Sequence, residues 1–129
     1  MSTTFERDDA TRRIRLTIDG PLTMAELFPL VTRLRTPELL ADSVLWDFRD
    51  ASITRNGFSL IACRDAILAL DRGTPRPGRV ALVVHGEAAL SLARACVLLG
   101  SMAGYEAMAF RDIDAANAWL DGARTTSVA

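Results

Sequence analysis

The most constraining feature of this sequence is the run Val80 to Val84, VALVV, in which five apolar residues follow one another. The run has the length of a β-strand, and three of its residues are β-branched valines. Apolar side chains at every position indicate that both faces of the strand are buried. Such strands are typical of the middle of a parallel sheet that helices cover on its faces. We therefore expect an α/β fold.

Other patterns predict further strands. From Arg13 to Asp19 apolar and polar residues alternate, which indicates a strand with one buried face. Phe5 to Asp8 is expected to pair with it as a hairpin, with the turn at residues 9 to 11. The apolar runs Ser43 to Phe48 and Glu106 to Phe110 have strand length. The sheet should therefore contain four or five strands.

Helical patterns occupy the segments between these strands. Thr23 and Glu26 have the spacing of a capping box, and Asp112 stands where it could cap the last helix. Gly122 is expected to follow the end of that helix, which we place at Leu120. Four helices are predicted, over about residues 23–35, 54–70, 87–103 and 112–120. The alternation of strands and helices implies a mostly parallel sheet.

The length of 129 residues suits one domain, which we expect to span residues 1–129 with frayed ends at 1–4 and 123–129. No apolar signal segment is visible near the amino terminus. The stretch from Ala95 to Phe110 is interrupted by Gly100, Gly104 and Glu106, so it should not span a bilayer. A cytoplasmic location is the expectation.

Composition excludes several classes of function. The chain has 15 basic and 16 acidic residues and a formal net charge of −1, which argues against a strongly basic nucleic-acid binder. Its two cysteines, Cys63 and Cys96, are not spaced as a metal or redox pair, and we read them as buried thiols. Neither the dinucleotide nor the P-loop glycine pattern is present. No cofactor and no metal are expected.

Polar residues at the ends of predicted strands are candidates for binding a ligand or partner, because open α/β sheets bind ligands beyond the carboxyl ends of their strands. These candidates are Asp47, Arg49, Asp50 and His85. No serine lies in a nucleophile-elbow pattern, and neither cysteine lies at a strand end, so no catalytic site is predicted. An enzyme that uses His85 with Asp47 or Asp50 stays open as a further alternative.

A second candidate is the tetrad Thr54-Arg55-Asn56-Gly57, at the start of a predicted helix. Free backbone amides at a helix start can hold a phosphate or carboxylate, and the Arg55 side chain could assist. Thr54, Arg55, Asn56 and Gly57 are therefore included among the candidate binding residues.

The helix predicted over residues 87–103 is unusually apolar. Between Ala88 and Ala103 only Ser91, Arg94 and Ser101 are clearly polar, whereas a helix that covers a sheet normally shows a wider polar face. Its outer side could be covered by a second subunit, by an apolar ligand or by further burial within the chain. The ligand groove would be lined by Leu90, Ala93 and Val97, with Phe28 and Val31 from the first helix.

Several segments together resemble the SpoIIAA-like, or STAS-like, proteins of bacteria. They are residues 78–84 (GRVALVV), Ala93-Arg94 in a helix of small residues, residues 109–120 (AFRDIDAANAWL), residues 18–23 (IDGPLT) and Pro29 inside the first helix. The resemblance covers nearly the whole chain. It implies a mixed sheet of four or five strands, an antiparallel strand at the amino terminus and about four helices.

The resemblance also implies a mode of action. In the anti-sigma-factor antagonists of the wider superfamily, a kinase phosphorylates a serine in an aspartate-serine-serine-glycine turn. Asn56 stands at the matching position and has no hydroxyl to phosphorylate. The SpoIIAA-like branch is also similar in fold to Sec14-type lipid-binding domains.

The expected function is a non-enzymatic regulatory or protein-interaction module that binds a protein partner, itself, or both. The alternative is a protein that binds or senses a small apolar or lipid ligand, with at most peripheral membrane contact. Both readings follow from the apolar helix and the resemblance, and the near-neutral charge favours either of them over nucleic-acid binding.

Overall fold

The computed structural model describes residues 2–34, 36, 39, 42–53, 65, 78–102 and 106–128. Its elements in chain order are β1 (Ser2–Asp8), β2 (Arg13–Leu22), α1 (Met24–Leu34), β3 (Ser43–Ile53), β4 (Val80–Val83), α2 (Glu87–Met102), β5 (Ala107–Phe110) and α3 (Ile113–Val128). The helix predicted over residues 54–70 lies outside the described residues apart from Asp65, which is helical.

The five strands form one sheet in the order β1-β2-β3-β4-β5. β1 runs antiparallel to β2, and the other neighbouring pairs are parallel. The expected mixed sheet with an antiparallel strand at the amino terminus is therefore confirmed, with three helices within the described ranges.

The alternation in β2 decides which side chains form the core. Ile14, Leu16 and Ile18 are fully buried, and they pack with Trp46 of β3 beneath the apolar side of α1. The α2 helix lies on this same side of the sheet, because Phe48 and Leu82 contact both its cluster and that of α1. The α3 helix covers the opposite side of the sheet. The buried residues of the core there are Leu45, Ala81, Val83, Ala116 and Leu120.

Two strands are longer than the sequence indicated. β2 does not end at Asp19 but continues to Leu22, and β3 continues past Phe48 to Ile53. Gly20 has a φ of +91°, which suits glycine. β1 ends its pairing opposite Asp19, so beyond that point β2 pairs with β3 alone, and an edge position tolerates proline.

The predicted helix starts are confirmed in their main features. The Glu26 backbone N–H donates to Thr23 Oγ1 at 3.3 Å, as a capping residue requires. The Glu26 carboxylate, however, accepts the Thr23 hydroxyl at 3.1 Å instead of reaching a backbone amide. At the start of α3 the Asp112 carboxylate accepts the Asp114 N–H at 3.1 Å.

Both ends of the described chain belong to regular elements. Ser2, Thr3 and Thr4 belong to β1 and pair in register with β2. The last helix does not stop at Leu120 but passes through Gly122 and reaches Val128. A glycine inside a helix costs about 1 kcal/mol relative to alanine, which weakens a helix without ending it.

A buried carboxylate holds the amino-terminal edge of the sheet. Asp42 is fully buried and accepts Arg7 Nε at 2.8 Å and Arg12 Nε at 3.0 Å. Arg12 has a φ of +55°, and its carbonyl accepts the Ser43 N–H at 3.0 Å. Gly78 passes so close to this corner that a Cβ there would lie 2.9 Å from the Ser43 nitrogen. Only glycine fits at that contact.

Candidate functional site

Asp47 does not lie at a strand end, as the sequence suggested, but inside β3, in register with Val83 of β4. Its side chain is 4% exposed, so the carboxylate is almost completely removed from water. A buried carboxylate needs partners that compensate its charge. Two arginines, Arg15 on β2 and Arg49 two residues further along β3, supply them.

The contacts around Asp47 are short and converge on both oxygens. Arg49 donates from Nε to Oδ1 at 2.9 Å and from Nη2 to Oδ2 at 2.8 Å, which is a two-point guanidinium–carboxylate pair. The Arg49 backbone N–H adds a contact to Oδ1 at 3.2 Å, and Arg15 Nη2 reaches Oδ2 at 3.2 Å. We call Arg15, Asp47 and Arg49 the arginine–aspartate cluster.

An irregularity in the sheet brings Arg49 into position. β2 and β3 are in register up to Thr17 and Asp47, but the next pair is Asp19 with Asp50, so β3 contains one extra residue. This is the pattern of a β-bulge, which redirects the side chains of the bulged strand. Next to this bulge, the side chain of Arg49 turns back and contacts Asp47, which lies only two residues earlier in β3.

The contacts within the cluster shift the pKa values of Asp47 and Arg49. The pKa of the Asp47 carboxyl is lowered, first by the side-chain hydrogen bond from Arg49, although burial opposes this shift. The pKa of Arg49 is raised, first by its hydrogen bond to Asp47, with smaller effects from the charges of Asp50 and Asp112. A carboxylate with a lowered pKa and both oxygens occupied is a poor proton acceptor.

The structure does not place His85 in hydrogen-bonding contact with Asp47 or Asp50, its two candidate carboxylates. His85 follows the last buried residue of the β4 segment, Val84, and its side chain is exposed. Among the described residues it makes no hydrogen bond and no ion pair with Asp47 or Asp50. Asp50 is exposed as well. The candidates Thr54, Arg55, Asn56 and Gly57 lie outside the described residues.

The apolar groove expected along the helix is not open at two of its three residues. Leu90 and Ala93 are 2% and 6% exposed, and they pack against Val84, where they belong to the core of the sheet. Val97 is half-buried. Ligand binding at Leu90, Ala93 and Val97 stays a prediction, and the structure shows that Leu90 and Ala93 are turned towards the sheet.

Three large apolar side chains that do reach the surface lie elsewhere on α2 and on β5. Leu98 is 64% exposed, Met102 is 78% exposed, and Met108 on β5 is 46% exposed. Leu98 and Met102 are four residues apart, so they share one face of the helix. The α2 helix packs chiefly against β5. Met108 lies on the α3 side of that strand, because it is in register with Ala81 of the cluster beneath α3. We call Leu98, Met102 and Met108 the α2–β5 apolar patch.

Sequence reasoning identified the helix but missed these residues, and it also missed Arg15. The i, i+4 spacing of Leu98 and Met102 was the available signal for the patch. For Arg15, the signal was its place on the polar side of the alternating strand β2. Nothing in the sequence marked Met108, because its exposure depends on which strand lies at the edge.

The described ranges contain neither a cluster of metal-ligating side chains nor a membrane-spanning helix. No three histidine, cysteine, aspartate or glutamate side chains come together as a metal site within them. Within the same ranges, no helix combines the length and the apolar character needed to cross a membrane. Cys96 is half-buried, whereas Cys63 lies outside the described residues.

Comparison with known proteins identifies the fold. No family model matches the chain, and no curated protein matches it. A solved structure does match: an uncharacterized protein of the DUF3478 family with a SpoIIAA-like fold, from Shewanella loihica PV-4. It is 24% identical, the match covers 92% of each chain, and the TM-score is 0.55. The protein is thus an α/β protein with a SpoIIAA-like fold.

Proposed function

We propose that this protein is a regulatory or protein-interaction module that acts without catalysis and associates with a second copy of itself. The observation that carries the proposal is the α2–β5 apolar patch, in which Leu98, Met102 and Met108 are all 46% exposed or more. Burying a side chain of this kind typically contributes about 1.5–3 kcal/mol, so covering the patch would stabilise a complex.

The location of the patch supports a partner over a ligand. Leu98 and Met102 are exposed on α2, and Met108 is exposed on β5, which is at one end of the described strand order. The groove residues Leu90 and Ala93 are already packed into the core. Exposed apolar surface of this kind marks an interaction site on many proteins.

The polar residues support a role without catalysis. Asp47 is saturated by two arginines, and His85 has no carboxylate in hydrogen-bonding contact among the described residues. The arginine–aspartate cluster thus fits a structural role better than a catalytic one. The SpoIIAA-like fold adds support, since the family resemblance implies action through protein partners.

Sedimentation velocity across the micromolar range tests this proposal. The wild-type protein should shift from monomer to dimer as its concentration rises, and Leu98→Glu or Met102→Glu should hold it as a monomer. Phe28→Glu is the matched control, because Phe28 is a large apolar residue on α1 that is 41% exposed but lies outside the patch. A wild type that stays monomeric, or a Phe28 variant that dissociates equally, would overturn the proposal.

A further inference from the structure

We propose that Met102 is a site of reversible oxidation, at which hydrogen peroxide converts the α2 part of the apolar patch into a polar surface. The effect of this oxidation on dimers rests on the self-association proposed above and adds its regulation, whereas the oxidation itself does not depend on a partner. Three features of Met102 support the assignment: its exposed thioether, its position beside Leu98 and its separation from the core.

The side chain of Met102 is open to solvent. It is 78% exposed, compared with 64% for Leu98 and 46% for Met108. Met102 is also the last residue of α2, so no further turn of that helix follows it. Peroxide therefore reaches the sulfur atom without any opening of the fold. We expect Met102 to be oxidised before Met108.

The reaction transfers one oxygen atom to the thioether. A lone pair of Met102 Sδ attacks one oxygen of hydrogen peroxide, the O–O bond breaks, and an S–O bond forms. The other oxygen leaves as hydroxide and takes up the proton of the transferred hydroxyl group, which gives water. Sulfur is oxidised and the peroxide is reduced. The product is a sulfoxide, which methionine sulfoxide reductases convert back to the thioether.

Oxidation of Met102 changes the surface that a partner would cover. Met102 and Leu98 are four residues apart on α2, so a surface that covers one also covers the other. A sulfoxide carries a hydrogen-bond acceptor, and burying such a group without a donor is costly. Leu98 has no group that peroxide oxidises. The polarity of this face of α2 thus depends on the state of Met102.

The same oxidation should leave the fold intact. Within the described ranges, Met102 is in none of the three apolar clusters that form the core. A sulfoxide on an exposed side chain stays in contact with water, whereas a sulfoxide within a core disrupts packing. The oxidation therefore acts on what the surface binds and not on the stability of the chain.

Peptide mass mapping of the full chain during treatment with hydrogen peroxide tests the site. One added oxygen should appear on Met102 earlier than on Met108, in the order of their exposure. Oxidation of Met108 first, or of both residues at the same rate, would overturn the assignment of the site.

Hydrophobic-interaction chromatography and sedimentation velocity measure the consequence for the surface. When Met102 is oxidised, retention on the column should fall. The dimer Kd should rise by roughly 100-fold, because each dimer would bury two sulfoxides. A methionine sulfoxide reductase should restore both values. Oxidised protein with unchanged retention and an unchanged Kd would overturn the proposal.

Two leucine variants identify the responsible sulfur atom. Met102→Leu keeps a similar apolar volume without the thioether, so peroxide should change neither its retention nor its Kd. Met108→Leu is the matched control, and it should respond to peroxide as the wild type does. A Met102→Leu protein that still loses retention would show that another group is oxidised, and it would overturn the proposal.

The outcomes separate this inference from the self-association on which its effect on dimers rests. If the wild type dimerises and oxidation of Met102 dissociates the dimer, both are supported. If the wild type dimerises and peroxide leaves Kd unchanged, the regulation is wrong, while self-association stands. If the wild type is monomeric at every concentration, self-association fails. The retention of the monomer then decides the inference, because a fall supports it and unchanged retention overturns it.

Discussion

Replacing Asp47 by asparagine removes the charge on which the arginine–aspartate cluster depends while keeping the size of the side chain. Asp47 is 4% exposed and accepts four hydrogen bonds, three from Arg49 and one from Arg15. Asparagine offers one oxygen, and its NH₂ group would face a guanidinium that can only donate. The substitution therefore leaves two neighbouring cations without their shared anion.

The size of the effect follows from the exposure of the arginines. Breaking a fully buried ion pair costs about 3–5 kcal/mol, mostly because the remaining charge stays buried. Arg15 and Arg49 are 41% and 40% exposed, so water can solvate their released guanidinium groups. We therefore expect Asp47→Asn to lower the free energy of unfolding by about 2 kcal/mol.

The pH dependence gives this prediction a second readout. The pKa of Asp47 in the folded protein lies below the ordinary carboxyl value of 3.8, so the carboxylate stabilises the fold above that value. This contribution is lost as the pH falls through the folded pKa. The difference between wild type and Asp47→Asn should be constant from neutral pH to about pH 5 and should shrink below about pH 4.

Equilibrium urea unfolding followed by circular dichroism measures both effects. Asp9→Asn is the matched control, because Asp9 also pairs with an arginine, Arg7, at 3.3 Å but is 86% exposed. Exposed pairs of this kind contribute little. Equal losses in the Asp47 and Asp9 variants, or a difference that does not shrink in acid, would refute the reasoning.

Three other substitutions should lower the free energy of unfolding in the same assay. Gly78→Ala should cost about 1–3 kcal/mol, because the added Cβ would lie 2.9 Å from the Ser43 nitrogen, and an unchanged unfolding midpoint would contradict that contact. Asp42→Asn should cost about 2–3 kcal/mol, since Asp42 is fully buried between two arginines, and a neutral effect would show that its charge is not needed. Asp112→Ala should cost about 1 kcal/mol through loss of the cap on Asp114, whereas Asp112→Asn should retain most of the stability.

The sheet was predictable from the sequence because its pattern is local. The alternation in β2 already separates the buried Ile14, Leu16 and Ile18 from their polar neighbours. The carboxyl end of β3 was not predictable in this way. Asp47 looked like the start of a loop because a charge inside a buried strand is costly, and its compensation by Arg15 comes from another strand.

The surface of α2 shows a similar limit. The shortage of polar residues predicted that something covers this helix. It did not show which apolar side chains face outward, because Leu90 and Leu98 are the same residue type and differ only in exposure. Leu90 is 2% exposed beneath the sheet, and Leu98 is 64% exposed. Which leucine faces outward depends on how the helix lies across β5, and this depends on contacts that are distant in sequence.

An isotope-filtered nuclear Overhauser measurement on an equimolar mixture of labelled and unlabelled protein tests the proposed self-association most directly. Such a filter detects only contacts between two copies. The proposed self-association predicts cross-peaks between the methyl groups of Leu98, Met102 or Met108 in one copy and protons of the other copy. Absence of such cross-peaks under conditions where the protein sediments as a dimer would contradict the proposed interface.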